Sequence, residues 1–324
     1  MTVSAATSSA AGPGSNFNIA EHAGNEGLVP KFVEADGVRT RYYEVGDPSA
    51  DPLVLCHGAG WSGTSSANTW ARNLKGLGQQ FHVFAADKLA SGLTGNPPTE
   101  AGYSIEGQVA HMWAFMRAVG LADRPFHIVG QSRGGYLAAR TALEHPDQTK
   151  SLVVVDSATL APDDGQGAER RRRLLGNEDT DLGPDPRTRM REHWRRMSFN
   201  KEHVTDEFVE AAAYMESTPK AQETRRVWKS GGEERFNSTL KAQKEETLRW
   251  FREGKLQRPI LLYWGRNDPT AVLSLGHALF DLIAEANDRT RMFMVNRAGH
   301  FHYREYPDEF NLNITSFIRY WTGA

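Results

Sequence analysis

Only one cysteine occurs in the 324 residues. No disulfide can form within the chain, so a stapled secreted scaffold is excluded. Cys56 lies inside the apolar run PLVLC and reads as a small buried hydrophobe. No apolar run approaches the length of a membrane span. The first Lys or Arg is Lys31, and the opening MTVSAATSSAAGPGSNFN has neither the basic start nor the apolar core of a secretory signal. Residues 1–28 therefore read as a disordered or loosely attached tail on a cytoplasmic protein. Excess charge of one sign is also missing. Lys+Arg number 38 against 40 Asp+Glu, so no net field draws the protein to nucleic acid or to an acidic membrane.

What is present is a strand–helix alternation. KFVEADG and VRTRYYEVGD read as two antiparallel strands joined at Asp36-Gly37. PLVLCHG, FHVFAAD, PFHIVGQS and SLVVVDS are short apolar runs that end in turn or polar residues, as fully buried strands do. Helical patterns separate them, at Ser104 to Val119 and Gly134 to Glu144. This order predicts an α/β fold with a mostly parallel central sheet and helices on both faces. The alternation stops near Leu160. Residues 161–250 carry no convincing strand, are rich in Arg, Glu and Lys, and show loop signals at GPDP and SGG. They predict a helical cap inserted into a core of residues 29–160 and 251–324. The sheet resumes at RPILLYWGRND and RTRMFMVNRAGH, and residues 308–321 predict a closing amphipathic helix. The four successive arginines of AERRRRLL point all round a helix, so they are expected to be solvated or paired with acids of the cap.

Gly130-Gln131-Ser132-Arg133-Gly134 fits G-x-S-x-G, with a buried strand before it and a helix after it, the setting of a nucleophile elbow. A serine hydroxyl needs a base, and the base needs a group to orient it. Asp268 in WGRNDP and His300 in NRAGHF supply both, each just past an apolar run, where open α/β sheets build their sites. Asp156, at the end of the preceding strand, is the reserve acid. Two backbone N–H groups are expected to form the oxyanion hole, from Arg133 and from Ala59 in HGAG.

HGAG, DKLASG, GQSRGG, GRND and AGH together resemble the α/β-hydrolase superfamily, over about residues 31–322. Within it, HGAGWSGTSSANTWARN and the paired glycines after Ser132 resemble the meta-cleavage-product C–C hydrolases, and the chain is also similar to the monoalkyl phthalate hydrolases. The resemblance implies the triad Ser132, Asp268 and His300, no metal, no organic cofactor, and often a homodimer. Members with Asp at the elbow, the epoxide hydrolases and haloalkane dehalogenases, are disfavoured by Ser132. There are departures. C–C hydrolases usually have Asn before the serine, an apolar residue after it and Trp after the histidine, where this chain has Gln131, Arg133 and Phe301.

Those changes lie in the substrate-facing set, whereas plain ester hydrolysis needs only the triad and the hole. A guanidinium at Arg133 could grip a substrate carboxylate in bidentate fashion, or pair with an acid of the core or cap. A carboxylate-bearing aromatic ester, such as a monoalkyl phthalate, fits that grip. The sequence thus leads to a serine carboxylesterase for such small molecules, with C–C hydrolysis of 2-hydroxy-6-oxo-dienoates as the alternative. Gly58, Trp61 and Phe301 are the expected further substrate contacts, and Trp194, Tyr214 or Trp228 are cap aromatics that could line an apolar cleft.

Overall fold

The computed structural model describes residues 23–59, 65–175 and 185–323. Eight strands form one sheet: β1 (Lys31–Ala35), β2 (Val38–Val45), β3 (Pro52–Cys56), β4 (His82–Ala86), β5 (Phe126–Gln131), β6 (Thr149–Val155), β7 (Ile260–Gly265) and β8 (Thr290–Val295). Their spatial order is β1-β2-β4-β3-β5-β6-β7-β8, antiparallel at β1/β2 and β2/β4 and parallel elsewhere. The β1/β2 hairpin turns at Asp36 and Gly37, with φ of 49° and 76°. Two successive left-handed residues are what a two-residue turn needs to match the strand twist.

Strand residues alternate between two apolar layers, as the two-residue period of a strand requires. Val54, Phe84, Ile128, Val154 and Leu262 face one layer, while Leu55, Val83, Val129, Val153 and Leu261 face the other. The first layer is closed by α2 (Ile105–Ala118), α3 (Arg133–Glu144) and α9 (Leu273–Ala284), through Val109, Leu137 and Leu279. The second is closed by α1 (Ala71–Leu77) and α11 (Pro307–Thr322), through Leu74 and Ile314. Ser104 caps α2, its side chain accepting the Gly107 N–H. β1 and β8 are the edge strands, and Phe293 and Met294 on β8 are exposed.

Between β6 and β7 the chain runs through helices α4 (Gly167–Leu175), α5 (Pro186–Met197), α6 (Asp206–Ser217), α7 (Pro219–Val227) and α8 (Glu233–Arg252). The loop signal at GPDP ends as a helix start. Asp185 accepts from the N–H groups of Arg187 and Thr188, and Pro186 opens α5. SGG is a kink between α7 and α8, with Gly231 at φ 103°. In the arginine run, Arg170 pairs with Asp164, and both Arg172 and Arg173 pair with Glu169. Two layers include this segment: Phe236 and Leu248 join the first, and Trp194 and Phe208 the second. α10 (His302–Glu305) is a single turn before α11. Among the described residues, no helix is long and apolar enough to cross a membrane.

One part of the expected N-terminal tail is packed. Ala23 and Asn25 are fully buried, and the Ala23 carbonyl accepts from both Arg41 and Asn68. Residues 1–22 lie outside the described residues. The anchor is Arg41, itself fully buried. Its guanidinium also reaches Asp87 at 3.0 Å, the Tyr43 hydroxyl at 2.8 Å and Asn68 Oδ1 at 2.9 Å. Asp87 in turn accepts the N–H groups of Ala67 and Leu93. Removing one partner of such a pair strands a buried charge. Asp87→Ala should therefore lower unfolding free energy by about 3–5 kcal/mol, read as a lower urea midpoint in a chain whose m-value is unchanged.

Candidate active site

The elbow begins as a steric problem. Ser132 sits at φ 54°, ψ −123°, between the last residue of β5 and the first of α3. A Cβ on Gly130 would stand 2.1 Å from the Gly134 carbonyl oxygen, and one on Gly134 would stand 2.2 Å from that of Cys56. Only glycine admits the helix so close to the sheet. Hydrogen bonds hold the strained residue: its N–H donates to Val155 O, and its carbonyl accepts from Ser157 Oγ and from the Gly135 N–H. The left-handed backbone at a non-glycine residue is the strain expected at a functional turn.

Asp268 follows β7 and His300 follows β8. Asp268 divides its two oxygens. Oδ1 accepts the N–H groups of Thr270 and Ala271 and the Thr270 hydroxyl, which leaves Oδ2 for His300 Nδ1 at 2.5 Å. Burial raises the Asp268 pKa, but the charge of His300 and these hydrogen bonds outweigh it, and the net direction is down. Burial lowers that of His300, but the charge and hydrogen bond of Asp268 outweigh it, and the net direction is up. The Gln131 side-chain amide donates to the His300 carbonyl at 3.1 Å, which ties the elbow to the histidine loop.

Asp156 lies behind this pair, fully buried, its Oδ1 accepting the Gly265 N–H and its Oδ2 2.8 Å from His302 Nε2. Burial, then the charge of Asp268, pushes its pKa well above the usual carboxylate range. Two such close carboxylates do not both ionise readily. Asp268 holds the charge and contacts His300, so the reserve acid is not the one hydrogen-bonded to the imidazole. Asp156, Asp268 and His300 offer donor atoms within 4.8 Å of one another, a set that could also bind a cation.

The loop after β3 lies against the elbow, since a Cβ on Gly58 would stand 2.8 Å from Ser132 Cβ. Ala59 has φ 55°. Lys88, from the DKLASG segment, is buried beneath this loop and donates from Nζ to the Gly58 and Ala59 carbonyls at 2.9 and 2.7 Å. Cys56, at the end of β3, is buried, and burial pushes its thiol up to about 12.

Arg133 supplies the first N–H of α3, a position with no intrahelical acceptor. Its guanidinium lies over the ring of Phe236 in α8, 4.6 Å from the centroid. Phe301 is buried, edge-on to the His300 ring at 5.3 Å. Trp61 lies outside the described residues. Of the inserted aromatics, Trp194 packs on Phe208 at 4.2 Å, Trp228 on Phe236 at 5.7 Å, and Tyr214 is half-buried on α6. An open depression of about 680 Å³ on α8 is lined by Trp228, Glu233 and Lys241 among others, and by none of the residues around the elbow.

Two residues that bear on the site were not singled out from sequence. Lys88 lies in DKLASG, and its only signal is a lysine directly after the apolar run FHVFAAD. Glu305 gave no signal at all. Its carboxylate accepts the N–H of Gly299, just before His300, and those of Phe199 and Asn200, just after α5.

A family model described as the alpha/beta hydrolase fold matches residues 51–305. The 2-hydroxy-6-oxo-6-(2'-aminophenyl)hexa-2,4-dienoic acid hydrolase of Metapseudomonas resinovorans is 26% identical over 301 residues, covering 90% of this chain and 91% of that protein. Monoacylglycerol lipase abhd6-B of Xenopus laevis is 24% identical over 297 residues, covering 90% and 82%. A crystallised meta-cleavage product hydrolase from Pseudomonas fluorescens IP01 superposes with a TM-score of 0.69 at 25% identity, over 90% of this chain and 97% of that one. The matches cover between 82% and 97% of these relatives, and the chain is a hydrolase belonging to the α/β-hydrolase family.

Proposed function

We propose that the protein hydrolyses the C5–C6 bond of a 2-hydroxy-6-oxo-hexa-2,4-dienoate, with Ser132, Asp268 and His300 as its catalytic triad. The observation that carries this reading is the likeness to meta-cleavage hydrolases over nine-tenths of the chain, inserted helices included. It supports this reading better than the esterase reading drawn from the sequence. The changes at Gln131, Arg133 and Phe301 that favoured an ester stand in a chain that matches a C–C hydrolase over 90% of its length.

The chemistry sets two demands. The bond between C5 and C6 cannot break while C5 is a vinyl carbon, because a localised carbanion would leave. Protonation of C5, with loss of the 2-hydroxyl proton, gives a ketone whose C5 leaves as a dienolate spread to the C2 oxygen. The second demand is attack at the C6 carbonyl. His300 takes the Ser132 proton as Oγ adds to C6, and Asp268 holds the imidazole and stabilises its charged form. The N–H groups of Ala59 and Arg133 receive the oxyanion. Cleavage of C5–C6 releases the dienolate, which takes the proton from the His300 imidazolium, and leaves an acyl-serine; neutral His300 then takes a proton from water as it attacks, and the acid is released. On this reading Arg133 grips the substrate carboxylate, with Gly58, Trp61 and Phe301 as the further contacts expected from the sequence.

A carboxylate is also what a monoalkyl phthalate presents, and Arg133 beside the elbow favours hydrolysis of such monoesters as the second reading. A lipase among the full-length relatives supports ester chemistry in this fold.

The deciding experiment compares three substrates: a ring-cleavage dienoate, a phthalate monoester and the diester of the same alcohol. Rapid loss of the dienoate absorbance, with slow release of alcohol from either ester, is the expected result. Fast monoester turnover with no loss of dienoate would establish the second reading instead. Ser132→Ala should cut turnover of the preferred substrate by about 10⁶-fold; near wild-type activity would remove the triad.

The pH profile follows from the His300 shift. The base must be neutral, and its folded pKa lies above the ordinary 6.5. Activity should therefore be full above that pKa and fall as pH drops through it, with the acid limb of kcat/KM centred above 6.5. Asp268→Asn should move that limb downward and lower kcat by about 10⁴-fold. A limb that stays in place would detach Asp268 from the imidazole.

Arg133→Ala should raise KM for the carboxylate-bearing substrate by about tenfold to hundredfold, leaving a neutral ester unaffected. An equal rise for both would end the carboxylate role.

A further inference from the structure

We propose that Lys88 is the positioning residue of the oxyanion site: it holds the Gly58–Ala59 peptide from behind, so that the Ala59 N–H is aimed at the reacting carbonyl. The inference rests on the reading of Ala59 as an oxyanion donor.

The argument is geometric. In a trans peptide the C=O of one residue and the N–H of the next point in opposite directions within one plane. Fixing the Gly58 carbonyl therefore fixes the direction of the Ala59 N–H, pointing away from whatever holds the carbonyl. Lys88 Nζ holds it at 2.9 Å, and reaches the next carbonyl, of Ala59, at 2.7 Å. One group thus bridges two successive carbonyls and removes the rotation of the peptide between them.

The rest of the cradle agrees. Ser65 Oγ also donates to Gly58 O at 3.0 Å. The Lys88 backbone N–H donates to His57 Nε2 at 2.9 Å, which puts the neutral ring's proton on Nδ1, 3.0 Å from both Gly58 O and Ser65 Oγ. The peptide is held from one side by groups that are all buried. On its other side the loop faces Ser132, because the space a Gly58 side chain would need is taken by Gln131 Oε1 and Ser132 Cβ. On this proposal the Ala59 N–H, opposite the held Gly58 carbonyl, is aimed at that elbow.

This role does not require a permanent charge. Burial and the neighbouring charge of Arg133 lower the Lys88 pKa well below its ordinary value. An amine keeps two N–H bonds and an ammonium three, so two carbonyls are held in either state. A lysine in a loop ordinarily sends its charge to solvent. Here the side chain is 1% exposed and ends on backbone.

The test uses Lys88→Met in the full chain and measures the second-order rate at which an aryl fluorophosphonate labels the serine. In that reaction the Ser132 Oγ–P bond forms, P–F breaks, fluoride leaves and the proton passes to His300, while the phosphoryl oxygen occupies the oxyanion site. Loss of a complete oxyanion donor lowers rates by about 10²–10³-fold. A misdirected one should slow labelling by about tenfold to hundredfold, and kcat with it, at unchanged KM.

Ser65→Ala, which removes one of the other donors, should slow labelling less. A merely structural role would change the melting temperature without this split between kcat and KM. Labelling at the wild-type rate by folded Lys88→Met overturns the proposal, as does an equal loss in kcat and in substrate binding. If that variant does not fold, Lys88→Gln, whose amide is too short to bridge both carbonyls, is judged by the same criteria.

Ser132→Ala run alongside separates the two levels. Labelling or turnover that survives in it defeats the triad reading itself. Labelling abolished in it, but unchanged in the Lys88 variants, defeats only the role of Lys88.

Discussion

The closeness of one helix to one sheet governs this molecule. The first turn of α3 lies so near the ends of β3 and β5 that the Gly134 Cα faces the Cys56 carbonyl and Gly130 of β5 faces the Gly134 carbonyl. No side chain fits at either point. The chain can make that approach only by passing Ser132 through a left-handed conformation, which lifts its side chain out of the strand–helix path. The other features of the elbow follow from it. Arg133 falls at the start of the helix, the Gly58 loop is drawn against Ser132, and the α3 glycines lie against the Cys56 and His57 carbonyls (Gly134) and the Ser157 side chain (Gly135).

A second constraint joins the inserted helices to the histidine. The His300 N–H donates to the Met197 carbonyl at the end of α5. Glu305 accepts N–H groups from both sides of that junction, from Gly299 on the histidine loop and from Phe199 and Asn200 beyond α5. A Cβ on Gly299 would stand 2.5 Å from the Met197 carbonyl, so the two segments meet backbone to backbone. Arg304 extends the seam, donating to Asn68 O and Thr69 O on one side and His203 O on the other. The insertion is thus part of the frame that sets the imidazole, and movement along α5 would be felt at His300.

These facts mark what the sequence could disclose. Buried parallel strands are legible because both faces are apolar, and PLVLC or SLVVV admits little else. The order Ser132, Asp268, His300 is legible because each residue ends an apolar run. What escaped has a common cause: groups that become partners only when distant loops converge. Lys88 meets Gly58 and Ala59 across thirty residues, and nothing in DKLASG says that its ammonium turns inward. Ala23 belongs to the opening that reads as a loosely attached tail, and a buried arginine in β2 is what secures its carbonyl. Asp185-Pro186 reads equally as turn or helix start, and the hydrogen bonds of the first helical turn decide it.

The arginine behind the serine takes its meaning from both frames. Its backbone belongs to the elbow, and its guanidinium rests on Phe236 of the inserted α8. On the proposed reading, a substrate anion gripped there is located relative to the nucleophile by α3 and relative to the rest of the pocket by α8. A dienoate and a phthalate monoester both carry that anion, but at different distances from the carbonyl under attack. Five bonds separate the carboxylate carbon from the reacting carbonyl carbon in the dienoate, and three in the ortho monoester. A guanidinium fixed against an aromatic ring can suit one of these spacings but not both, since a bidentate grip tolerates little displacement. The packing of Arg133 on Phe236, rather than the triad, is therefore where the choice between carbon–carbon and ester hydrolysis would be made.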